Sequence, residues 1–166
     1  MNLNRKVLVV TDSGVPEEYS SIIVDAAKEP VLVTLPEGEG SKTLDSFGML
    51  CRRMLDEGFT RRDCVVAVGG GVCGDMAGFA AASYMRGIDF YNVPTTVLSQ
   101  VDSSIGGKTA IDFGGYKNIV GAFYPPRAVL IDPDTLKTLP ARQISNGLSE
   151  AVKMALTSDE ELFQIF

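Results

Sequence analysis

Residues 64–75 of this chain read CVVAVGGGVCGD. The run Cys64 to Val68 is apolar at every position, which is typical of a strand buried on both faces of a parallel sheet. Gly69 to Gly71 follow, and a helix is predicted after Gly74 through the alanine-rich run Ala77 to Tyr84. Because glycine has no Cβ, a ligand can approach this backbone closely, and the N-terminus of a helix favours an anion. An open α/β sheet holds a dinucleotide pyrophosphate at such a turn. The glycines do not have the G-x-G-x-x-G spacing of the dinucleotide-binding fingerprint. The alternative to a pyrophosphate site is a tight strand-to-helix turn that binds no ligand.

Short apolar runs alternate with helical patterns over the rest of the chain. Besides the first run, strands are predicted at Val7 to Val10, Val31 to Leu35, Phe90 to Val93 and Ala128 to Ile131. Helices are predicted at Glu17 to Lys28, at Ser41 to Phe59 with Gly58 as the C-terminal cap, and from about Gln143 through Gly147 to Leu156. This alternation predicts an α/β fold with a doubly wound, mostly parallel sheet.

The stretch from Gln100 to Tyr124 has a different pattern, rich in glycine and with few helical stretches. We predict a hairpin there that turns at Gly114-Gly115. Two units are expected: residues 1–142 as an α/β domain, and residues 143–166 as the start of a helical domain that is truncated. The last segment, Glu160 to Phe166, either packs as a terminal helix or precedes a further domain.

The composition argues against several classes of protein. Of the 166 residues 45% are hydrophobic and 22% charged, and the net charge is -6. These values are typical of a globular domain and give no general attraction to the phosphates of a nucleic acid. No stretch approaches the roughly 18 apolar residues of a membrane span. Three cysteines in apolar surroundings are typical of reduced thiols in the cytoplasm. The chain has no histidine, which excludes a Ser-His-Asp triad or a histidine-rich zinc site within it.

A polar segment follows the second predicted strand, where residues 36–42 read PEGEGSK. Glu39 is a candidate acceptor for a ribose hydroxyl, and Lys42 is a candidate ligand of a phosphate or amide oxygen. The alternative is a solvated helix start with Ser41 as its cap and the charges idle.

A second polar segment comprises Pro94-Thr95-Thr96, residues 100–109 (QVDSSIGGKT) and Lys117-Asn118. Because an unpaired buried polar group costs about 1–3 kcal/mol, a polar stretch among apolar residues is expected to face inward and to be hydrogen-bonded. Two lysines and an aspartate converging there would suit a phosphorylated, hydroxylated substrate. A P-loop would need glycine at position 102, where Asp102 stands, so an NTPase is disfavoured.

Glu150 and Lys153 lie three residues apart and therefore share one face of the last predicted helix. They are either an exposed ion pair, worth a few tenths of a kcal/mol, or a metal-binding carboxylate beside a substrate-binding ammonium group.

Taken in order, these motifs closely resemble the 3-dehydroquinate synthase family of sugar phosphate cyclases. The resemblance runs from about Val31 onward, and the stretch before Glu37 is shorter than usual for the family. The matching blocks are Pro36-x-Gly38-Glu39-x-x-Lys42, Gly69-Gly70-Gly71-Val72-x-Gly74-Asp75, Pro94-Thr95-Thr96, Val101 to Thr109, Lys117 to Phe123, Leu136 to Pro140 and Gly147 to Lys153.

The resemblance implies the N-terminal, nucleotide-binding α/β domain of an enzyme that uses NAD and a divalent metal, zinc or cobalt. The implied reaction converts 3-deoxy-D-arabino-heptulosonate 7-phosphate to 3-dehydroquinate and phosphate. This is a carbon–oxygen lyase step of the shikimate pathway, which leads to the aromatic amino acids. Hydride chemistry then belongs to the cofactor, which is consistent with a chain that lacks histidine.

The resemblance also implies roles for individual residues. Asp102, Lys108, Asn118 and Lys153 match substrate-binding or catalytic positions, and Glu150 matches a metal ligand. Arg86 matches an arginine that the family lends to the neighbouring subunit, so a homodimer is expected. Cofactor contacts are implied for Asp12, Glu37, Gly38, Glu39, Lys42, Gly70, Gly71, Val72, Cys73, Gly74, Asp75, Thr95, Thr96, Lys108, Lys117, Thr135, Leu136, Lys137 and Thr138.

The chain departs from the family pattern in one respect. The other two metal ligands of the family are histidines of a helical C-terminal domain, and this chain has no histidine. We therefore expect a domain that binds NAD at best weakly and does not turn over substrate. The alternatives are another sugar phosphate cyclase, such as a 2-deoxy-scyllo-inosose or valiolone-type synthase, a non-catalytic nucleotide-binding module, and a metal-dependent alcohol dehydrogenase of the glycerol dehydrogenase type.

Overall fold

A computed structural model describes all 166 residues, Met1–Phe166. The strands are β1 (Lys6–Asp12), β2 (Glu29–Leu35), β3 (Cys64–Gly69), β4 (Asp89–Pro94), β5 (Lys108–Phe113), β6 (Tyr116–Phe123) and β7 (Ala128–Val129). The helices are α1 (Glu17–Ala26), α2 (Leu44–Asp56), α3 (Gly71–Ser83), α4 (Ala141–Ser158) and α5 (Glu160–Phe163). Shorter helical turns lie at Glu39–Ser41, Tyr84–Arg86, Ser99–Ser103 and Pro133–Thr138.

The main sheet has five strands in the order β2-β1-β3-β4-β7, and every neighbouring pair is parallel. Helices cover both of its faces, so the predicted α/β fold with a doubly wound, mostly parallel sheet is confirmed. Strand β2 follows β1 in sequence and pairs with one edge of it, whereas the next strand, β3, pairs with the opposite edge of β1. In open sheets ligands bind beyond the carboxyl ends of the strands at the place where the order reverses, here between β1 and β3.

Two apolar layers hold the helices against the sheet. Side chains alternate between the faces of each strand, and β3 is buried along its whole length. Leu8, Val10 and their neighbours pack against α2 and α3, whereas Val7 and Val9 pack against α1 through Ile23. The short apolar strands recognised in the sequence therefore form the middle layer of a three-layer core.

The second helix is shorter than predicted. It begins at Leu44 because the hydroxyl of Thr43 accepts the backbone N–H of Ser46 at 3.2 Å and so caps the first turn. Ser41, the cap considered above, instead lies in a short helical turn, where its hydroxyl donates to the Gly38 carbonyl at 2.8 Å. Gly58 has a φ of +67° just past the helix end, which confirms its predicted capping role.

Three other boundaries differ from the prediction. Helix α3 begins at Gly71 rather than after Gly74, so the last of the successive glycines already belongs to its first turn. Strand β7 covers two residues instead of four, and its partner β4 ends at Pro94, which has no N–H to extend the ladder. Helix α4 begins at Ala141, and the proposed boundary between residues 142 and 143 falls within its first turn.

The predicted hairpin is present and consists of β5 and β6. Gly114 and Gly115 have φ values of +62° and +83°, as a two-residue type I′ turn requires. The hairpin packs on α3 through Thr109 and Ile111, which are buried. A Cβ on Gly78 of α3 would lie 2.5 Å from Thr109 Cγ2, so the close approach of the hairpin depends on that glycine.

Helix α4 lies against the chain that follows β4. A Cβ on Gly147 would lie 2.4 Å from Val97 Cβ, so only glycine permits this contact. The contact places Glu150 and Lys153 beside the Ser99–Ser103 turn. None of the helices combines the length and the apolar character needed to cross a membrane.

An ion-pair network joins strands at the opposite, amino-terminal edge of the sheet. The Asp89 carboxylate accepts hydrogen bonds from Arg5 and Arg127, each at 2.8 Å. Burial opposes ionisation of Asp89, but the two guanidinium groups outweigh it and lower the pKa of the carboxyl. These contacts tie β4 to the chain before β1 and the chain before β7, on the side away from the glycine turn.

Candidate functional site

The predicted cofactor residues follow the carboxyl ends of four neighbouring strands. Asp12 ends β1, Glu37 follows β2, Gly70 follows β3, and Thr95 follows β4. The Thr95 N–H donates to the carbonyl of Gly69 at 3.0 Å, which joins two of these ends directly. Because the strands are parallel, the fold brings these residues to one edge of the sheet.

The glycine turn leaves the start of α3 open to a ligand. Gly70 is the N-cap and supplies no side-chain cap, so the first N–H groups of the helix have no such partner. A Cβ on Gly71 would lie 3.0 Å from Ser103 Oγ, and one on Gly70 would lie 3.3 Å from Thr96 Cγ2. The turn is therefore a narrow cradle between α3 and the chain after β4, with free backbone donors at its base.

The hydroxyl of Ser103 is buried at this cradle and has no hydrogen-bond partner in the protein. The polar stretch was expected to be fully hydrogen-bonded. Gln100 is hydrogen-bonded, but the hydroxyls of Ser103 and Ser104 are not. An unpaired buried hydroxyl costs about 1–3 kcal/mol, and a polar ligand would relieve that cost. Together with the open helix start, Ser103 fits the pyrophosphate group of a dinucleotide.

Two of the predicted contact residues face the core with their side chains. The thiol of Cys73 is fully buried and donates to the Val10 carbonyl at 3.1 Å. Burial raises the pKa of this thiol far above its ordinary value. Val72 packs against the same core. The thiol of Cys73 therefore cannot contact a ligand in the turn. Its backbone N–H remains available to donate to such a ligand.

Two carboxylates lie beside the ends of β1 and β2. Asp12 accepts the N–H of Gly14 at 2.9 Å, and a Cβ on Gly14 would lie 2.7 Å from Glu37 Oε2. Burial raises the pKa of Asp12, and the nearby charge of Glu37 raises it further. Carboxylates at this position can accept hydrogen bonds from ribose hydroxyls. Gly38, the next residue, has a φ of +94° and is exposed.

Lys42, predicted to bind a phosphate or amide oxygen, is paired within the protein. Its side chain is only 4% exposed, and its ammonium group donates to Asp75 at 2.6 Å and to the carboxamide oxygen of Asn118. Burial raises the pKa of Asp75 even though Lys42 opposes the shift. At the rim above, Lys117 lies 3.5 Å from Glu39, and both are largely exposed.

A cleft of about 480 Å³ lies between the hairpin and the Ser99–Ser103 turn. It brings together the predicted residues Asp102, Lys108 and Asn118, and Asp75 also lines it. Aliphatic and aromatic groups of β6 form another part of the wall. Lys117 does not line this cleft, so only one of the two expected lysines converges with Asp102.

Helix α4 brings two more predicted residues close to Asp102. Lys153 donates to Glu150 at 2.6 Å, and this hydrogen bond, with a smaller contribution from Asp102, raises the pKa of Lys153. No group of three or more Asp, Glu, Cys or His side chains is placed to hold a metal ion. A catalytic zinc site needs three protein ligands, so the 166 residues do not make a metal site by themselves.

Two side chains hold the Pro133–Thr138 turn at this edge, and sequence reasoning missed one of them, Tyr19. The buried Gln100 donates to the Asp132 carbonyl at 3.0 Å and to the Thr135 hydroxyl at 3.1 Å. The Tyr19 hydroxyl of α1 lies 2.9 Å from the hydroxyl of Thr138. A polar residue within an apolar run signalled Gln100, whereas nothing in the sequence singles out Tyr19.

The other predicted residues of this turn differ in exposure. Thr135 is buried, Leu136 is half-buried, and Lys137 is exposed and pairs with Asp134 at 2.9 Å. Thr96, next to Thr95, exchanges hydrogen bonds with Ser99 and so begins the following helical turn.

Arg86 lies apart from these residues. It follows the C-terminal end of α3, a helix of 13 residues and about 20 Å in length, whereas the glycine turn begins that helix. Arg86 is exposed and has a φ of +68°. The structure therefore does not bring Arg86 to the cleft of its own chain.

A second depression, of about 570 Å³, is lined by Met1–Asn4 and Ala26–Lys28. It lies at the amino-terminal edge of the sheet, where open α/β folds do not bind their ligands. We therefore assign the candidate site to the carboxyl edge.

The topology and the cleft define the class of this protein: an open, doubly wound α/β domain whose polar site lies at the carboxyl edge of a parallel sheet. Residues 32–146 match the family described as 3-dehydroquinate synthase N-terminal. The chain belongs to that family.

Curated relatives of similar sequence are 3-dehydroquinate synthases. The protein from Ruminiclostridium cellulolyticum is 49% identical over 161 residues, which cover 95% of this chain and 45% of that protein. The protein from Geobacter metallireducens is 49% identical over 167 residues, covering 98% and 46%. The chain thus spans about half the length of the curated relatives that it matches.

Solved structures of two sugar phosphate cyclases share the fold. A 2-deoxy-scyllo-inosose synthase, crystallised with carbaglucose-6-phosphate, NAD+ and Co2+, has a TM-score of 0.87 and 37% identity, with 93% of this chain and 44% of that chain covered. The 2-epi-5-epi-valiolone synthase from Streptomyces hygroscopicus, with NAD+ and Zn2+ bound, has a TM-score of 0.90 and 35% identity, with 98% and 46% covered. A glycerol dehydrogenase from Schizosaccharomyces pombe shares the fold alone. Its identity is 23% and its TM-score 0.68, with 92% of this chain and 37% of that chain covered.

Proposed function

We propose that this chain is the cofactor-binding half of a 3-dehydroquinate synthase. The complete enzyme would convert 3-deoxy-D-arabino-heptulosonate 7-phosphate to 3-dehydroquinate and phosphate. The observation that carries the proposal is the cradle at Gly70 and Gly71, where the first N–H groups of α3 have no side-chain cap and the unpaired hydroxyl of Ser103 lies close by. The family membership and the NAD+ found in two related cyclases support it.

The residues of the chain divide into two groups in this proposal. Backbone donors at the start of α3 and Ser103 would bind the pyrophosphate of NAD, and the carboxylates Asp12 and Glu37 would bind its adenosine ribose. Bound NAD would accept a hydride from the substrate and later return it. Lys108 would pair with an anionic group of the sugar phosphate in the cleft, and Asn118 would orient one of its hydroxyls.

The role proposed for Glu150 is that of one metal ligand. Its carboxylate pairs with Lys153, which lies near Asp102, and zinc or cobalt accepts such an oxygen donor. The remaining ligands would come from the half of the relatives that this chain does not span. We therefore expect the 166-residue chain to release no phosphate from the heptulosonate substrate.

The test of the cradle is a pair of glycine-to-alanine substitutions. In Gly71→Ala the new Cβ lies 3.0 Å from Ser103 Oγ and narrows the cradle, while the backbone φ stays in an ordinary region. Gly48→Ala, on the exposed face of α2, meets nothing within 4 Å and is the matched control. We expect NAD+ affinity, measured by isothermal titration calorimetry, to fall about tenfold or more in the first variant only.

Two results would count against the proposal. The first is NAD+ binding that is equally strong in Gly71→Ala, and the second is no NAD+ binding by the unmodified chain at millimolar concentrations. Robust phosphate release by the isolated chain would show in addition that the expectation of an inactive fragment is wrong.

The second candidate is another sugar phosphate cyclase, because two of the similar solved structures catalyse related cyclisations. The 49% identity to 3-dehydroquinate synthases, against 37% and 35% to those two, favours the first candidate. Protein that includes the half of the relatives that this chain does not span can be assayed with the heptulosonate phosphate, glucose 6-phosphate and sedoheptulose 7-phosphate. The substrate that releases phosphate or cyclises decides between the candidates.

We also propose that the enzyme acts as a cytoplasmic homodimer. The exposed Arg86, remote from its own cleft, would serve the site of a neighbouring subunit. Three free cysteines fit a reducing compartment. Sedimentation of the purified protein tests the dimer. Arg86→Ala tests the shared site in protein that also includes the half of the relatives this chain does not span, since mixing it with a second inactive variant that retains Arg86 should restore activity.

A further inference from the structure

The hairpin carries an irregularity at one side of the cleft. Between the pairs Ile111–Val120 and Phe113–Tyr116 a single residue of β5, Asp112, faces three residues of β6, Lys117 to Ile119. Asn118, in the middle of these three, has a φ of +55°. Asn tolerates the left-handed conformation better than most residues, but it needs local partners to hold it there.

A closed ring of hydrogen bonds surrounds this irregularity. The Asp112 N–H donates to the Lys42 carbonyl at 2.9 Å, and the Asn118 N–H donates to Asp112 Oδ1 at 2.8 Å. The Asn118 carboxamide oxygen then accepts from the ammonium group of Lys42, which closes the ring. Asp112 is the link between the chain after β2 and the wall of the cleft.

The ring decides which end of the Asn118 carboxamide remains free. An ammonium group can only donate, so the atom that faces Lys42 must be the oxygen. The amide nitrogen makes no hydrogen bond within the protein, and Asn118 lines the cleft. A ligand there meets an N–H donor rather than a carbonyl oxygen.

We propose that Asp112 is a positioning residue: it holds Asn118 in the left-handed conformation, so that the amide nitrogen of Asn118 donates to a hydroxyl or carboxylate oxygen of the sugar phosphate. The identity of that ligand rests on the proposed function. The ring itself does not, because its contacts lie within the chain.

The test compares three variants of the chain. Asp112→Ala removes the acceptor for the Asn118 N–H, Asp112→Asn keeps an oxygen acceptor without the charge, and Asp25→Ala, an exposed site on α1, is the control for loss of an aspartate. We expect the affinity for the heptulosonate phosphate, at saturating NAD+, to fall about tenfold or more in Asp112→Ala. Asp112→Asn should restore it to within about threefold, and Asp25→Ala should not change it.

The affinity for NAD+ separates positioning from general damage. The Asp112 N–H still reaches the Lys42 carbonyl in Asp112→Ala, so NAD+ binding should change less than about threefold. Equal losses of NAD+ and sugar phosphate binding, or an Asp112→Asn variant as weak as Asp112→Ala, would overturn the proposal.

If the chain binds no sugar phosphate, that result counts against the proposed function alone. The ring of hydrogen bonds can then be tested by nuclear magnetic resonance of the same variants. The Asn118 Cα and Cβ shifts should keep left-handed values in Asp112→Asn and lose them in Asp112→Ala. Unchanged shifts in Asp112→Ala refute the ring. Should Asp112→Ala not fold, hydrogen exchange of the Asn118 amide in the unmodified chain decides. Exchange as fast as that of the Gly115 amide, which lies in the hairpin turn and donates no hydrogen bond, refutes the ring.

Discussion

Replacement of Lys42 by Met should strongly destabilise the fold, and the structure sets the magnitude. The Lys42 side chain is 4% exposed and its partner Asp75 is 19% exposed, so the substitution leaves a largely buried carboxylate without its cation. Breaking one side of a buried ion pair costs about 3–5 kcal/mol. We expect a value near the lower limit, about 3 kcal/mol, because Asp75 keeps some contact with water and the nearby charge of Lys108.

The carboxyl group of Asp75 gives this prediction a pH dependence. Burial already holds its pKa above the ordinary 3.8 with Lys42 in place, and loss of the cation should raise the pKa further. A carboxyl group whose pKa is higher in the folded state destabilises the fold above that pKa, and the effect disappears as the pH falls to the unfolded value. The deficit of Lys42→Met should therefore be smaller at about pH 4.5 than at pH 7.

Urea unfolding followed by circular dichroism measures these differences. The double variant Lys42→Met/Asp75→Asn has no unpaired charge left, so it should recover about 1–3 kcal/mol relative to Lys42→Met. Lys28→Met, at an exposed lysine, is the matched control. The reasoning fails if the free energy of unfolding of Lys42→Met lies within about 1 kcal/mol of that of the unmodified chain. It also fails if adding Asp75→Asn to Lys42→Met recovers none of the lost stability.

Two further predictions concern packing and pH. Gly147→Ala should destabilise the chain by about 1–3 kcal/mol, because its Cβ would lie 2.4 Å from Val97 Cβ. Gly48→Ala, whose Cβ meets nothing within 4 Å, should not destabilise it. Thermal unfolding of the two variants tests this, and equal melting temperatures would contradict the close contact. Asp89→Asn should cost about 1–3 kcal/mol at neutral pH. Because the pKa of Asp89 is lowered in the fold, this difference should shrink as the pH falls below 3.8, and a difference independent of pH would show that the ion pairs are not its cause.

Much of the fold could be predicted from local pattern. The apolar run at Cys64 to Val68 predicts a strand covered on both faces, and β3 is buried along its whole length. Gly114 and Gly115 predict a two-residue hairpin turn, and both residues have the positive φ that it needs. Helix ends were predicted less well, because a cap depends on one hydroxyl, as at Thr43, rather than on the period of the helix.

The site was predictable only as a set of positions. Parallel strands bring their carboxyl ends together, so Asp12, Gly70 and Thr95 could be expected at one edge of the sheet. The hydrogen-bond partners of each side chain could not be predicted from the sequence. Lys42 was predicted to bind a ligand, and no local pattern shows that its ammonium group lies between Asp75, 33 residues away along the chain, and Asn118, 76 residues away.

The chain alone therefore determined the order of its strands and helices, the glycine turn at residues 69–71 and the hairpin turn, because these depend on backbone conformation and on apolar period within a few neighbouring residues. The tertiary structure decided which polar groups are paired and which are left for a ligand. Ser103 Oγ is unpaired, and the Asn118 amide nitrogen is free, only because α3, the hairpin and the chain after β2 meet at one place. Such partners are set by packing between distant segments, which no local pattern records.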